Sequence, residues 1–566
     1  MGNRIGKLRE EWEKEISEQY EKKLKFTLPQ YTNESGMPLK YVYDQRDIAD
    51  STPEMPGQFP YTRGIRALGY QYMPWMIQML HGYGTSKETR DRTDFLLKEG
   101  MRGYREGYPV VLIEVDPATT VGLDPDDPMA FGAVGLGGPS ISTLEDLDNL
   151  LEGHNLAKTR FAPNSRFTCL PMLALYIVYA EQRGYKTDEL VGQSQNDSLT
   201  RWLTTDIGGP APSTQQKLRV ELIKYTTENI PRWNHTNLSG YHYGEMCATP
   251  AQQLGIVMAQ AAELIGECVK AGLDPDDFIP RLSSQVHMGM SFFEEVAKLR
   301  AWRRLWAKTM RERFQCRNPR SLQYRMHVHT GGASLTMEQP LNNIVRATLQ
   351  VLASVLGGTQ SLHTCSYDEA VGLPSEDAVR TAIRVNQIIL NETKVDCVSD
   401  PLGGSYYLEW LTDRMEEEAV NVMDQIEERG GFCRCVEDGY LRGLLRDQVL
   451  KWRQELDSNE RTVVGLNRFK TEKQVHVPPF ASDEKAAQII TERIRKWKKS
   501  RDNGKVKRAL DEVEQAMHDF QSAENAGKLM PTLIEAARAK CTLGEMMGSI
   551  YKATGGRIYA AEYGKL

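Results

Sequence analysis

Short runs of β-branched and apolar residues alternate with amphipathic segments from about residue 65 to about residue 400. Two of these runs are YPVVLIEVD (108–116) and YRMHVHT (324–330), and stretches with helical periodicity follow them. Alternation of this kind is typical of repeated βα units on a parallel sheet. At 566 residues the chain is longer than a typical single domain, so the sequence favours two units or one large α/β barrel with appendages.

The clearest predicted helix follows the segment NLSGYHYGEMCATP (237–250). Thr249 can cap this helix, Pro250 suits its first turn, and Gly272 ends it. Its apolar stripe consists of Leu254, Val257, Met258, Ala261, Leu264, Ile265, Cys268 and Val269. The preceding segment is therefore predicted to be a strand-to-helix loop. In a (β/α)8 barrel such loops form the C-terminal face, where active sites are built.

The two ends of the chain differ from this central pattern. The first 25 or so residues predict an exposed charged helix, and the Pro- and Gly-rich stretch after them predicts an extended arm. The region beyond about residue 400 is helical, with little strand signal. We predict a (β/α)8 TIM barrel over 65–400, an N-terminal helix and arm over 1–64, and a helical extension that docks a partner over 401–566.

Composition excludes several classes of partner. The net charge is −6 and the isoelectric point is near 6.0, so no overall attraction to nucleic acid or to an anionic membrane is expected. No run of about 18 apolar residues could span a bilayer, and the charged N-terminus is not a signal peptide. The nine cysteines lack paired Cys-x-x-Cys spacing. A cytoplasmic location is expected.

His242 is the histidine of the loop that precedes the predicted helix. A lone loop histidine is more often a capping or solvated group than a functional one. Here Gly240 permits an unusual backbone conformation and Tyr241 can form the wall of a pocket. An imidazole N–H on the rim of a barrel could donate a hydrogen bond to a carbonyl oxygen of a ligand.

His327 and His329 lie on the same face of a predicted strand. Zinc hydrolases built on barrels use this spacing, in which two histidines close one side of the metal site. The alternative is two packed or ligand-facing histidines without a metal. No convincing set of partner carboxylate and lysine accompanies them, so a barrel metal hydrolase is the weaker hypothesis.

The segment from Val355 to Pro374 concentrates polar residues between apolar helices. Buried polar groups need hydrogen-bond partners, so packing alone does not explain this density and a functional role is favoured. The polar residues of the segment are Gln360, His363, Cys365, Asp368 and Glu369. Gln195, Asn196 and Asp197 form a similar group, in which helix capping explains Asn196 and Asp197 about equally well.

Several motifs together resemble the methylmalonyl-CoA mutase family in order and spacing. They include QND (195–197), SGYH (239–242), GGTQSLHT (357–364), YDEA (367–370) and DPLGGSYY (400–407). The similarity extends from FPYTRGI (59–65) to ARAKCTLGE (537–545). Motifs this long and this numerous are specific, and they cover nearly the whole chain.

The resemblance implies the large, substrate-binding subunit of an adenosylcobalamin-dependent acyl-CoA mutase. It is similar to the isobutyryl-CoA and 2-hydroxyisobutyryl-CoA types, whose cobalamin domain is a separate chain. The cobalt-ligating Asp-x-His-x-x-Gly motif does not occur in the sequence. We therefore expect no metal in this chain and the cobalt ligand on a small cobalamin-binding subunit. The family also implies a heterotetramer built on a homodimer of large subunits, and a possible GTPase reactivating chaperone.

The resemblance also assigns roles to individual residues. His242 would hydrogen-bond the thioester carbonyl of an acyl-CoA, and Gln195 would line the same pocket. Tyr241 would face the corrin and Glu369 would hold the adenosyl ribose. The residues expected to contact CoA along the barrel axis are Arg281, Ser283, His327 and Gln360. The implied chemistry is Co–C bond homolysis, hydrogen abstraction and 1,2-migration on the acyl skeleton, in a barrel that excludes water.

Departures from the family pattern bear on the substrate. Tyr70 persists, whereas two arginines are replaced by Met73 and Gln78. Leu80 stands where the family has an aromatic residue, which leaves room for a branched, bulky or hydroxylated group. Thr205 stands where the family has the arginine that holds the carboxylate of methylmalonyl-CoA. These changes imply a branched or hydroxylated monocarboxylic acyl-CoA rather than methylmalonyl-CoA.

Two further departures lie near the expected active site. His329 replaces a common glutamine in the substrate pocket, and Cys365 replaces a common asparagine near the adenosyl group. The main alternative to a mutase is therefore a noncatalytic scaffold that has lost CoA binding and only holds a partner. Retention of His242, Gln195 and Glu369 argues against it, because a scaffold needs none of them.

Overall fold

A computed structural model of the chain describes residues 2–25, 27, 30–48, 54–102, 108–205, 208–472, 477, 485–520 and 525–557. The strands are β1 (Tyr31–Thr32), β2 (Pro38–Leu39), β3 (Met76–Ile77), β4 (Val110–Glu114), β5 (Arg160–Asn164), β6 (Gly192–Gln193), β7 (Trp233–Asn234), β8 (Thr236–Ser239), β9 (Leu282–Met288), β10 (Met326–Thr330) and β11 (Ser361–His363).

The α-helices of the first half are α1 (Gly2–Ile16), α2 (Gly69–Tyr72), α3 (Ser86–Glu99), α4 (Pro117–Thr120), α5 (Leu144–Leu151), α6 (Cys169–Glu181), α7 (Leu199–Thr204), α8 (Pro212–Asn229), α9 (Tyr241–Glu245), α10 (Pro250–Lys270) and α11 (Pro275–Phe278). Those of the second half are α12 (Phe292–Glu312), α13 (Pro319–Leu322), α14 (Asn342–Leu356), α15 (Glu376–Glu392), α16 (Tyr406–Glu428), α17 (Phe432–Glu437), α18 (Tyr440–Asp457), α19 (Ala486–Ser500), α20 (Asn503–Asp519), α21 (Leu529–Arg538) and α22 (Leu543–Ala553).

Two parallel sheets form the centre of the molecule. One runs in the order β3-β11-β10-β9-β8 and the other in the order β4-β5-β6-β7. An isolated parallel bridge links His81, which follows β3, to Ile113 of β4, and only His235 separates β7 from β8. From β3 to β11 the strands thus follow one another in chain order, and helices lie between all of them except β7 and β8. The predicted (β/α)8 barrel class is confirmed, as are the predicted strands around residues 110 and 326.

The sheet of β8 to β11 has one apolar and one polar face. Val286, Val328 and Leu362 lie in register and are fully buried. The alternate positions point to the other face, because successive side chains of a strand alternate. These positions are Asn237, Ser239, Ser283, Gln285, His287, His327, His329, Ser361 and His363. The inner face of this half of the barrel is therefore polar, unlike the branched apolar filling usual in TIM barrels.

The helix predicted after residue 249 is α10. The Thr249 hydroxyl accepts a hydrogen bond from the Gln252 backbone N–H at 3.3 Å, and the Gln252 side chain accepts one from the Thr249 N–H at 2.9 Å. Gly272 follows the helix with a φ of +86°, which glycine adopts easily. One stripe residue was assigned wrongly, since Val269 is 42% exposed. The segment before α10 also contains the short helix α9, which the sequence did not predict.

The terminal regions pack onto the barrel. The predicted N-terminal helix is present as α1. In the hairpin of β1 and β2, the backbone N–H groups of Glu34 and Ser35 donate to the Glu294 carboxylate at 3.1 and 3.0 Å. The helix α16 packs against α10 and α12, and α21 packs against α6. The described part of the C-terminal region is helical, as predicted, and among the described residues no helix is both long and apolar enough to cross a membrane.

Arg300 on α12 is the centre of the ionic contacts that attach α16. Its side chain is 1% exposed and forms ion pairs with Asp400 and with Glu409. The two carboxylate oxygens of Glu409 lie 2.8 and 2.9 Å from Arg300 Nη2. Asp400 also accepts from Arg63 Nε at 2.8 Å. A buried cation between two carboxylates thus connects the residues before the barrel, the barrel helix and α16.

Replacement of Arg300 should destabilise the fold strongly. Arg300→Met leaves Asp400 and Glu409 without their buried partner, and we expect the free energy of unfolding to fall by about 3–5 kcal/mol in denaturant titrations. Arg313→Gln is the matched control, because Arg313 pairs with Glu427 between the same two helices but is exposed. Its effect should stay below about 1 kcal/mol. Equal losses in the two variants would contradict this assignment.

Candidate active site

Aromatic rings cluster at the carboxyl ends of the central strands. His329 and His363 stack at 3.9 Å between ring centroids with an interplanar angle of 22°. Tyr241 at the start of α9 lies against His329 at 4.1 Å. The positions are set by register, because His287, His329 and His363 are neighbours on β9, β10 and β11. These rings form one wall at the C-terminal edge of the sheet.

Burial keeps the two stacked imidazoles, those of His329 and His363, neutral. Desolvation lowers the pKa of His329 to about 4, and it lowers the pKa of His363 well below the ordinary value. The positive charge that His329 would carry also opposes protonation of His363. The Leu80 N–H donates to His363 Nδ1 at 2.8 Å, which requires an unprotonated nitrogen there. The stacked pair of His329 and His363 is therefore uncharged at neutral pH.

His242 occupies the first turn of α9, just beyond β8. Its Nδ1 lies 3.3 Å from the Ser239 hydroxyl. Burial is the main cause that holds the pKa of His242 well below its ordinary value, and the charges of Arg166 and Arg201 add to it. When Nδ1 accepts the Ser239 hydroxyl, Nε2 carries the hydrogen. The geometry thus provides a neutral, half-buried N–H donor at the barrel rim.

A cavity of about 190 Å³ adjoins the histidine wall. Leu80, His329, His363, Glu114 and Glu369 all contribute to its lining. Burial raises the pKa of Glu369 to about 7, although the Ser366 N–H donates to its carboxylate at 3.0 Å. A carboxyl group with this pKa holds a proton over a large part of the neutral range. The predicted pocket residues Leu80 and His329 therefore meet the predicted ribose ligand Glu369 in one cavity.

Three other predicted residues lie near this edge. The thiol of Cys365 is buried and donates to the Thr330 carbonyl at 3.1 Å. Gln195 is buried after β6, and its carbonyl accepts the Arg166 N–H at 3.0 Å. The Thr205 hydroxyl, at the end of α7, donates to the Arg201 carbonyl at 2.9 Å.

The residues assigned to CoA lie toward the amino ends of the strands. Arg281 precedes β9 and donates to the carbonyls of Thr226 and Ile230. Ser283 lies at the second position of β9. Gln360 precedes β11, and its side-chain oxygen accepts the Met326 N–H at 2.8 Å. This group is separated from the histidine wall by the length of the strands.

Tyr70 belongs with the CoA group in space. Its hydroxyl donates to the Thr359 carbonyl at 2.7 Å, and it shares a small cleft with Gln360. Its phenol ring packs edge-on against Trp75 at 5.1 Å. The structure does not bring Tyr70 to Leu80 or His329, with which it was grouped from the sequence. Sequence position misleads here because α2 lies at the opposite end of the barrel from the loop after β3.

A larger groove of about 820 Å³ lies beside α9 on the same face as the histidine wall. It is lined by the loop after α9, the segments that follow β9 and β10, and the helices α14 and α18. Gly244, Val345, Trp452 and Val464 are among the lining residues. Its lining is mainly apolar, so it can accept a large ligand or a protein surface.

Comparison with known proteins decides the family. The family model described as Methylmalonyl-CoA mutase matches residues 32–556. The chain belongs to the methylmalonyl-CoA mutase family. Members of this family are cobalamin-dependent acyl-CoA mutases, so the chain is an isomerase of this type. The match spans the barrel and most of the described helical extension.

Individual relatives of the family agree over most of the chain. The 2-hydroxyisobutanoyl-CoA mutase large subunit of Aquincola tertiaricarbonis is 35% identical over 545 residues, which are 95% of this chain and 94% of the relative. The methylmalonyl-CoA mutase of Escherichia coli (strain K12) is 36% identical over 91% of this chain and 71% of the relative. The mitochondrial methylmalonyl-CoA mutase of Homo sapiens is 34% identical over 92% of this chain and 68% of the relative.

The described residues do not support the metal site suggested by His327 and His329. The His327 ring lies 2.8 Å from the Ser361 hydroxyl, deeper in the barrel than His329. One group of three candidate ligands occurs among the described residues, and it consists of His329, His363 and Cys365. His327 is not part of it. In this barrel His327 and His329 occupy two successive inward-facing positions of β10 on the polar inner face.

Glu114, Arg166 and Arg201 are charged residues of the site that the motifs did not indicate. Glu114 ends β4, Arg166 follows β5, and Arg201 lies on α7. The sequence signal is weak, because each residue occurs alone within an apolar or polar run. A charged residue directly after a predicted barrel strand is the one clue that could have identified Glu114 and Arg166.

The raised pKa of Glu369 should make stability depend on pH. The folded carboxyl holds its proton to about pH 7, whereas the unfolded one loses it near 4.3, so this contribution to stability is lost as pH rises through 7. From pH 4.5 to 8, wild type should lose up to about 3 kcal/mol relative to Glu369→Gln in denaturant titrations. The exposed Glu376→Gln serves as a control whose curve should parallel wild type. A curve for Glu369→Gln that also parallels wild type would contradict the shift.

Proposed function

We propose that the chain is the large subunit of an adenosylcobalamin-dependent mutase that rearranges a branched or hydroxylated monocarboxylic acyl-CoA rather than methylmalonyl-CoA. The observation that carries this proposal is the neutral, half-buried His242 at the end of a barrel whose inner face is polar. The family gives the reaction class, and the geometry supports the role that we propose for each side chain. The acyl group would lie at the carboxyl edge of the strands.

The polar inner face supports a path for CoA along the barrel. Ser283, Gln360 and His327 lie at successive levels between the amino edge of the strands and the histidine wall. Their hydroxyl, amide and imidazole groups can hydrogen-bond the amides of a pantetheine chain. A barrel packed with branched apolar side chains would leave no such partners. Arg281 lies at the entrance, where the charged end of CoA would remain near solvent.

His242 is suited to hold the thioester carbonyl. A neutral imidazole donates a hydrogen bond without transferring a proton, and its low pKa keeps it in that form. The Ser239 hydroxyl fixes the ring and the tautomer. Gln195 follows the neighbouring strand and would line the same pocket. His242 would thus orient the substrate and polarise its carbonyl while the carbon skeleton is rearranged.

The residues at the carboxyl edge fit an adenosylcobalamin held between this chain and a partner. Tyr241 and Cys365 would line the cofactor side, and the carboxyl of Glu369, which lines the cavity of about 190 Å³, would bond ribose hydroxyls. The groove of about 820 Å³ beside α9 gives room for a large ring system. When bound, adenosylcobalamin supplies the radical chemistry of the rearrangement. Buried apolar and aromatic walls keep water from the reacting carbons.

The partner we propose is a small cobalamin-binding subunit that carries the cobalt ligand. A relative that covers 95% of this chain is named as a large subunit, which supports such a partner. Two large and two small subunits, a homodimeric large-subunit core, a GTPase chaperone for reactivation and a cytoplasmic location follow from the family resemblance. They belong to the same proposal.

Leu80 and Thr205 support a substrate other than methylmalonyl-CoA. Leu80 gives the cavity an aliphatic wall, which leaves space for a branched or hydroxylated carbon. Thr205 has no charge to offer a carboxylate, and its hydroxyl already donates to the Arg201 carbonyl. The way in which other family members hold the carboxylate of methylmalonyl-CoA is therefore absent at position 205.

Turnover in the assembled enzyme tests the proposal. The chain is mixed with a small cobalamin-binding subunit and adenosylcobalamin, and acyl-CoA thioesters are screened for isomerised product by mass spectrometry. We expect one thioester to be converted and His242→Ala to lower kcat about 100-fold or more, because a preorganised donor to the carbonyl is removed.

His518→Ala is the matched control, because His518 is an exposed histidine on α20. It should leave turnover unchanged. Complex formation without CoA binding or isomerisation would instead establish the noncatalytic scaffold. Thioester hydrolysis that follows stoichiometric zinc would establish the metal hydrolase, and either result overturns the mutase.

A further inference from the structure

A small internal cavity of about 20 Å³ lies between the first turn of α6, the segment before α7 and one face of α8. None of the residues that line it also lines the cavity of about 190 Å³ or the outer groove of about 820 Å³. About 10–15 Å³ is the least volume that holds one water molecule. This cavity can therefore hold one small species, and it lies outside the proposed acyl and CoA path.

Arg219 on α8 is a buried cation in the wall of this small cavity. Its side chain is 2% exposed and lies between Leu218 and Leu222, which line the same cavity. Its Nη1 donates to Gln216 Oε1 at 3.4 Å. Its Nε and Nη2 are buried and have no hydrogen-bond partner among the described residues. A buried guanidinium with two unpaired nitrogens is unfavourable unless something else supplies acceptors.

Arg166 contributes a second positive charge to the same cavity. Its side chain is 6% exposed, and its Nη2 lies 3.4 Å from Glu114 Oε1. Its Nε is buried and unpaired within the described part of the chain. Burial raises the pKa of the Cys169 thiol to about 12, and the charges of Arg166 and Arg219 act in the opposite direction. Cys169 lines the cavity, so both positive charges act at this one place.

The carboxylates nearest to Arg219 are occupied elsewhere. Asp197 and Glu263 act on the same tyrosine and cysteine side chains as Arg219 does, but neither lines the small cavity. The Asp197 carboxylate accepts the Ser239 N–H at 2.7 Å and the Gln260 side-chain N–H at 2.9 Å. The Glu263 carboxylate accepts the backbone N–H groups that begin α17. The cavity itself therefore contains an excess of positive charge.

An anion fits this cavity better than water does. The unpaired oxygens of Asn196 and Gln215 also line the cavity, and a water molecule could donate to them. Water would nevertheless leave two buried cations without a counter-ion, which is the larger penalty. The positive end of the α6 dipole adds to the field, because the first residues of that helix line the cavity. The volume excludes carboxylate, phosphate and sulfate groups and leaves a monatomic anion.

We propose that this cavity is a binding site for a single halide ion, chloride under ordinary conditions, held between Arg166 and Arg219. The ion would compensate the two guanidinium groups and hold Arg166 in place, while the other end of that side chain reaches Glu114 at the carboxyl edge of the sheet. The proposal is independent of the proposed function, because it requires neither an acyl-CoA nor a partner subunit. Its expected effect is on the packing of α6 against α8.

Bromide diffraction on the full chain tests the site directly. Crystals grown without halide are soaked in sodium bromide, and anomalous scattering at the bromine edge locates the ion. We expect a bromide peak between the guanidinium groups of Arg166 and Arg219. The same soak of Arg219→Met should give no peak there, because the buried cation that carries the attraction is removed.

Thermal unfolding provides a second measurement at equal ionic strength. Gluconate is too large for the cavity, so the melting temperature of the wild type should be about 1–2 °C higher in sodium chloride than in sodium gluconate. Arg219→Met should lose this difference. In gluconate it should melt at or above the wild-type temperature, because an apolar side chain between two leucines replaces an uncompensated buried cation. A simple loss of structure would have the opposite sign.

Arg183→Gln is the matched control, because it removes an arginine that pairs with Asp148 at the surface end of α6. It should respond to chloride as the wild type does. Wild-type crystals without a bromide peak in the cavity would show that water fills it, and this overturns the proposal even if Arg219→Met does not fold. A chloride response that persists in Arg219→Met would assign the ion to another place and overturn it as well.

Discussion

The parallel register of β8, β9, β10 and β11 is the constraint on which the rest of the site depends. It pairs Gln285 with His327 and His287 with His329, and it places Ser361 and His363 at the corresponding levels of β11. A slip of one residue in any strand would turn these groups outward and bring Val328 or Leu362 into the axis. The apolar contacts of the outer face with the helices therefore fix the polar inner face. The alternation of side chains along these strands therefore accounts both for the packed apolar face, which stabilises the barrel, and for the polar face, which forms the proposed ligand path.

Desolvation is the second organising effect. It keeps His242, His329 and His363 neutral and Glu369 protonated up to about pH 7. The fixed charges at the edge are the arginines beside Glu114, and they reinforce the neutral state of His242. Below about pH 7 a site of this kind presents N–H and O–H donors. This is suitable for holding a carbonyl and ribose hydroxyls while a carbon skeleton is rearranged.

The sequence predicted those features that a local pattern determines. Period-two and helical periodicity identified β4, β10 and α10, and Thr249 and Gly272 marked the ends of that helix. Long family motifs carried the identity and the carboxyl-edge position of His242. Features that depend on three-dimensional neighbours were not predicted. Tyr70 lies with the residues assigned to CoA because of the path of α2. Val269 is exposed because the apolar stripe of α10 is narrower than its periodicity suggested. Glu114 lies beside Arg166 and Arg201, and these three residues come from three different strand-to-helix connections.

A structure of the full chain with a bound, non-reacting CoA thioester tests the central claim most directly. The account predicts that the pantetheine chain runs along the barrel past His327 and that the thioester oxygen lies about 3 Å from His242 Nε2. A thioester bound in the outer groove beside α9, with no contact to His242, would contradict both the assigned path and the role of the polar inner face.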